Sequence, residues 1–281
     1  MATYSGKALI EQMNNLRVPP GCLALWGMGQ MGIALKGDDN GLIYIDVCLS
    51  DAVAERVDRN FFARGFPPPV EPSEVTNAAY VLCSHEHLDH TDPVTLGPVA
   101  QASPQAKFVI TAWSQEVLDE AKIDPSRRIV PPAEGSIQLG KAKLTIVPSA
   151  HYELEHDERG YRWFGFLIEW NGVTFYHSGD TIVYPGYRDR LKALPRADIA
   201  MVAANGRDAH RDEMQVTGNL LPSEAAWLAG DLGWDLLIPG HNDLYPANTI
   251  PAGALADEIR RLNPRQKHHA LQPGELYLYV R

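Results

Sequence analysis

Apolar residues in this chain gather in short, dense runs broken by glycine, proline and acidic residues, the signature of buried strands more than of long amphipathic helices. Residues 23–26 and 33–36 flank the glycine-rich stretch 27–32, as the arms of a hairpin would. The run 42–47 predicts a further strand with Asp46 near its end, and the three consecutive prolines at 67–69 make 66–72 an extended surface connection. Residues 79–83 read as a buried strand that stops at a polar segment, Ser84-His85-Glu86-His87-Leu88-Asp89-His90. Asp92-Pro93 then starts a helix, with a carboxylate cap and a proline at the first position. Residues 108–111 predict a strand and 113–122 a helix, with Trp113, Val117, Leu118 and Ala121 on one face.

The second half repeats the pattern. Strands are expected at 144–148, 164–170 and 173–177, the last two joined by an Asn171-Gly172 turn. The runs 198–203 and 236–239 are of the fully buried type. Ser223 is the expected cap of a helix reaching Leu232 and ended by Gly233. Leu255, Ile259 and Leu262 mark one face of a last helix that stops at Asn263-Pro264. Alternating strands and helices in both halves predict the α/β class, with two sheets enclosed by helices. No repeat, low-complexity tract or linker divides the chain, so residues 1–281 are expected to form one domain.

Composition narrows the function. The 281 residues are 45% hydrophobic, enough for a large core, yet no run approaches the ~18 apolar residues of a membrane span. Residues 1–17 lack the apolar centre of a signal peptide, and Cys22, Cys48 and Cys83 form no CxxC pair. Buried, reduced thiols and a cytoplasmic location are expected. The net charge of −10 disfavours nucleic acid and anionic membranes as partners. Self-association is left open. Trp26, Trp113, Trp163, Trp170 and Trp227 are read as core, and Arg260, Arg261, Arg265 and Lys267 as a solvated face.

Chemistry concentrates in the histidines. His85, His87, Asp89 and His90 crowd the end of a predicted strand, and imidazole nitrogen with carboxylate oxygen suits zinc, manganese or iron. In extended backbone His85 and His87 point the same way and can share an ion, while Asp89 and His90 can face a second. His151, Asp180 and His241 each follow an apolar run and complete the donor set. His177, three residues before Asp180, is placed to support the site from behind or simply to pack.

The segment from Ser84 to His90, with the later His, Gly-Asp and Gly-His segments in order, resembles the metallo-β-lactamase superfamily of metal-dependent hydrolases over nearly the whole chain. That resemblance implies an αββα sandwich with two divalent ions at one sheet edge. One ion would take His85, His87 and His151, and the other Asp89, His90 and His241, with Asp180 bridging. Asp46 resembles the early aspartate of the superfamily and would act behind the ligands. His87, where flavodiiron oxygen reductases carry a carboxylate, argues against that branch. Trp26 with 27–32, the segments 176–180, 205–208 and 218–219, and Gln272-Pro273-Gly274-Glu275 are similar to the L-ascorbate-6-phosphate lactonase branch, which is associated with manganese.

Two close cations share and activate a hydroxide for attack on a carbonyl or phosphorus. Asp180 would hold the ions together, and Asp89 would orient the hydroxide and move its proton. Opening of a phosphorylated sugar lactone is the expected reaction, with a phosphodiesterase and a non-catalytic metal sensor as alternatives. The expected partner is a small anionic molecule. Asn205, Arg207 and Arg211, after the run 198–203, are the candidate side chains for its phosphate.

Overall fold

The computed structural model describes residues 3–39, 41–251 and 253–281. Helix α1 (Gly6–Asn15) opens the chain and buries Leu9, Ile10 and Met13. Strands β1 (Cys22–Gly29), β2 (Gly32–Lys36) and β3 (Leu42–Ile45) follow, then helix α2 (Ala52–Arg56) and strand β4 (Ala78–Leu82). Helix α3 (Pro93–Ala102), strand β5 (Lys107–Val109), helix α4 (Gln115–Glu120) and strand β6 (Arg128–Ile129) complete the first half. The second begins with β7 (Ser136–Leu139), β8 (Ala142–Pro148) and a two-residue ribbon of β9 (His156–Asp157) and β10 (Gly160–Tyr161). Strands β11 (Phe164–Trp170) and β12 (Val173–His177), helix α5 (Tyr187–Lys192) and strand β13 (Ile199–Ala203) come next. Helices α6 (Ala209–Glu213) and α7 (Pro222–Leu232), strand β14 (Leu236–Gly240), helix α8 (Ala254–Leu262) and strands β15 (Lys267–His268) and β16 (Leu276–Val280) end the chain.

Two mixed seven-stranded sheets result, ordered β16-β1-β2-β3-β4-β5-β6 and β15-β14-β13-β12-β11-β8-β7. Alternation within a strand explains how they stack. Leu23 and Leu25 of β1 enter the core between the sheets with Ile33, Ile45, Phe166, Phe175 and Ile238. Ala24 and Trp26 face the other way, into a core with Leu9 and Met13 of α1 and Leu96 of α3. The outer face of the second sheet packs Tyr176 and Leu237 against Tyr187, Leu228 and Ile259 of α5, α7 and α8. Strands covered on both faces read as unbroken apolar runs, as the sequence expected. The layers are helix, sheet, sheet, helix, and the shared inter-sheet core joins both halves into one αββα domain.

Strands β3 and β4 run parallel, as do β12, β13 and β14, and β8 is antiparallel to β11, itself antiparallel to β12. The chain therefore leaves β3, β4, β8, β12 and β14 at one edge of the sandwich. Asp46, His85, His151, Asp180 and His241 all lie just beyond those strands.

Several local expectations need correction. Leu221, not Ser223, precedes α7, and the Glu224 carboxylate accepts the Leu221 N–H at 2.9 Å. The last turn of α8 turns Leu262 to solvent at 42% exposure. Trp227 is 40% exposed, and Trp113 is only half-buried, with the Arg159 guanidinium stacked on its ring. Helix α1 and the pairing of β16 with β1 were not foreseen. All three cysteines are free and buried as expected, and burial pushes the Cys48 thiol up to about 12. No helix among the described residues is long and apolar enough to cross a membrane.

Candidate metal centre

All seven proposed donors meet at this edge. His85, His87 and His151 bring one donor atom each within 4.8 Å of one another, and so do Asp89, His90 and His241. Asp180 stands between the two groups. Its Oδ2 is 3.6 Å from His151 Nε2 and 3.1 Å from His241 Nε2, while its Oδ1 is 3.3 Å from His90 Nε2. Gly179 makes this placement possible. Its φ is +56°, and a Cβ there would sit 2.2 Å from the Phe164 carbonyl oxygen.

A hydrogen-bond relay sets which nitrogen His85 and His90 present. Asp46, in left-handed backbone at φ +47°, accepts the Ser84 N–H at 2.7 Å and the Ser84 hydroxyl at 2.6 Å. A hydroxyl has one proton, so Ser84 Oγ accepts from His85 Nδ1–H at 2.9 Å. His90 Nδ1–H donates to Asp46 Oδ2 at 2.8 Å. Both rings thus direct Nε2 into the cluster. His85 Nε2, His90 Nε2, His151 Nδ1 and Asp180 Oδ1 are buried without a hydrogen-bond partner. His85 Nε2, His90 Nε2 and Asp180 Oδ1, orphaned, buried and grouped within 4.8 Å of one another, fit a cation.

His177 is buried behind the cluster with both ring nitrogens engaged. Its Nε2–H donates to the Met31 carbonyl at 2.9 Å and its Nδ1 accepts the Gly179 N–H at 3.2 Å. Neither nitrogen is left for an ion, and the ring steadies the turn before Asp180.

Charge divides across the site. Burial lowers His85 and His87, and it lowers His151 to about 4, so these rings are neutral at pH 7. Burial opposes protonation of His90 and His241 too, but Asp180 and Asp89 overcome it, raising His90 well above the ordinary value and His241 to about 10. Burial likewise works against the carboxylates, yet His90 and His241 hold Asp89 and Asp180 well below their usual range.

One residue at the site was missed by the sequence reading. Gln30, at the β1–β2 turn with φ +58°, donates from Nε2 to Asp89 Oδ2 at 2.9 Å. Its backbone clips the opposite sheet, since its carbonyl accepts the His241 N–H at 2.9 Å and its N–H donates to Asp243 Oδ1 at 2.8 Å. Glycines on both sides mark the turn in the sequence, but nothing there names its partners.

His87, Asp89, His151, Asp180 and His241 floor an open cavity of about 570 Å³ between α2, the segment after His151 and the segment after α6. The candidate phosphate ligands are not in it, which corrects that expectation. Arg207 forms a fork with Glu224 at 2.6 and 2.7 Å and also holds the Asn219 carbonyl. Arg211 is buried, bonded to Asp208 at 2.7 Å and to the Asn205 carbonyl and Asn248 Oδ1 at 3.0 Å. Asn205 is fully buried and donates to Asn248 Oδ1 at 3.1 Å. A buried or half-buried guanidinium needs carboxylate and carbonyl partners, and these arginines find them inside the protein.

Residues 45–242 match the family model described as beta-lactamase superfamily domain. The chain is 25% identical over 226 residues to a UPF0173 metal-dependent hydrolase of Herpetosiphon aurantiacus, covering 75% of this chain and 84% of the relative. Igni18, described as a novel metallo hydrolase from Ignicoccus hospitalis, superposes with TM-score 0.66 at 17% identity, over 92% of this chain and 99% of that one. The isothiocyanate hydrolase from Delia radicum gut bacteria gives TM-score 0.70 at 15% identity, over 92% of this chain and 100% of that one. The two structural likenesses show a shared fold.

Proposed function

As the chain belongs to the beta-lactamase superfamily domain family, we propose that it is a metal-dependent hydrolase that opens a carboxylic ester or lactone. One observation carries the reading: seven histidine and aspartate side chains converge at one sheet edge, several with buried donor atoms that no protein group satisfies. The relative from Herpetosiphon aurantiacus is named a metal-dependent hydrolase.

His85, His87 and His151 are proposed to hold one divalent ion and Asp89, His90 and His241 a second, with Asp180 between them; manganese, zinc and iron suit this donor set. Such ions lower the pKa of water and polarise an acyl oxygen. The chain's own groups do the rest. Ser84 and Asp46 keep the His85 and His90 rings in the tautomers that donate through Nε2. Asp89, at the cavity floor and steadied by Gln30, is placed to orient a water and take its proton. The ester-opening part of the sequence expectation is retained. Its phosphate part, a substituent away from the ions, has no cationic side chain in the cavity to support it.

The test is elemental analysis of protein purified without added metal, with ester and lactone assays on the same sample and on His85→Ala. About two ions per chain and turnover lost in the variant are expected. Protein that binds no manganese, zinc or iron and hydrolyses nothing after their addition would overturn the reading.

A further inference from the structure

We propose that the cavity selects an uncharged ester or lactone with an aliphatic or aromatic substituent and rejects phosphorylated or carboxylated ones. This rests on the hydrolase reading and names the substrate class it leaves open. The cavity's size, about 570 Å³, is that of a small-molecule site. Away from the histidines its wall includes Val57, Phe61, Phe62, Leu88, Tyr152 and Met214, with the uncharged polar side chains of Gln215, Thr217 and Asn248 among them. Val57, Tyr152 and Met214 are 63%, 58% and 44% exposed, so large apolar side chains stand in water around one mouth. Isolated exposed apolar residues are ordinary; three sharing a cavity above reactive groups mark a surface that a ligand covers. Phe62 packs edge-on to Phe61 at 4.9 Å and to Tyr245 at 5.4 Å, which holds the aromatic wall in place.

Charge points the same way. Among the described residues no lysine or arginine lines the cavity, whereas Asp58 and Glu86 do, beyond the two carboxylates at the floor. Arg162 lies behind Glu86 but is shared between it at 2.6 Å and Glu155 at 3.0 Å. An anionic substituent would lose its water against valine and phenylalanine and face carboxylates instead of a cation. An alkyl or aryl group gains from the same burial. The net charge of −10 adds long-range repulsion of anions. In the reaction the water oxygen bonds to the acyl carbon as its proton passes to Asp89, the acyl C–O bond breaks, and the departing alkoxide takes up that proton.

The test compares kcat/KM of the metal-loaded enzyme for γ-lactones that differ only in a ring substituent: pentyl, phenyl or phosphomethyl. The pentyl and phenyl compounds are expected to lead the phosphomethyl compound by at least about tenfold. Val57→Lys and Met214→Lys, at exposed positions that tolerate the change, should narrow that gap. Binding of the corresponding tetrahydrofurans, which cannot be hydrolysed, is followed in parallel by ligand-observed NMR. Binding of the phenyl ether over the phosphomethyl ether with no turnover would sink the hydrolase reading and keep the cavity assignment. A phosphomethyl compound turned over or bound as well as its neutral counterparts would overturn the assignment itself.

Discussion

Asp46→Asn is a one-atom test of the relay behind the histidines. Asparagine keeps the volume of aspartate and tolerates left-handed backbone, so φ +47° is not a source of strain. It also keeps an acceptor for the Ser84 N–H. What changes is Oδ2, which accepts both the Ser84 hydroxyl at 2.6 Å and His90 Nδ1–H at 2.8 Å. An amide NH₂ in that place faces two donors. His90 loses its acceptor, and Ser84 must turn its proton away from residue 46, toward His85 Nδ1. His85 then protonates on Nε2, the atom proposed to hold the ion. Losing one such supporting contact typically costs 10–100-fold in metal affinity. Two ligands are disturbed here, so the upper end applies, about 100-fold or about 2.7 kcal/mol. The assay is competition with a chromophoric chelator on metal-stripped wild type, Asp46→Asn and Ser84→Ala. Ser84→Ala removes the relay without adding a donor and should fall between the other two. Asp46→Asn within about threefold of wild type would refute the relay.

Metal uptake should release protons, because His241 is raised to about 10 and carries its proton at pH 7. Apparent affinity should therefore climb with pH toward about 10, and calorimetry in buffers of different ionisation enthalpy should show the release. The same raised value stabilises the metal-free fold fully below the unfolded histidine value of about 6.5, and this is lost as pH rises through about 10; flat melting temperatures across that window would contradict it. Gly179→Ala should cost at least about 1–3 kcal/mol in thermal unfolding and most of the turnover, since its Cβ strikes the Phe164 carbonyl. Arg207→Ala should leave KM unchanged on every ester and lower stability by about 1 kcal/mol through Glu224; a raised KM would return that arginine to the substrate site.

How much could be read from the chain depended on the distance over which each feature is decided. Strands such as β11 and β12, buried on both faces and joined at Asn171-Gly172, show as apolar runs with a local turn, and their bounds were legible. His85 to His90 lie together in one segment, so four donors were visible at once, and the other three follow strands of the same kind. Strand β16 escaped although 276–280 is an unbroken apolar run; its partner β1 lies at the other end of the chain, so nothing local marks the pairing. Gln30 escaped because its contacts with Asp89 and His241 span 59 and 211 residues. Arg207 and Arg211 misled for a related reason. A guanidinium after a buried strand suits a ligand and an internal carboxylate equally well, and only the fold brings Glu224 to Arg207.

The donor set is divided between the two sheets, with His85, His87, Asp89 and His90 from one and His151, Asp180 and His241 from the other. Coordination is therefore a gauge of how the sheets lie against each other. A slip of about one ångström between them would spoil an ion's geometry while leaving both cores largely intact. Under rising temperature or denaturant, metal release and loss of turnover should precede the collapse of secondary structure. The bound ions would in turn act as a rivet at one end of the sandwich, adding to the shear resistance of the interdigitated interior.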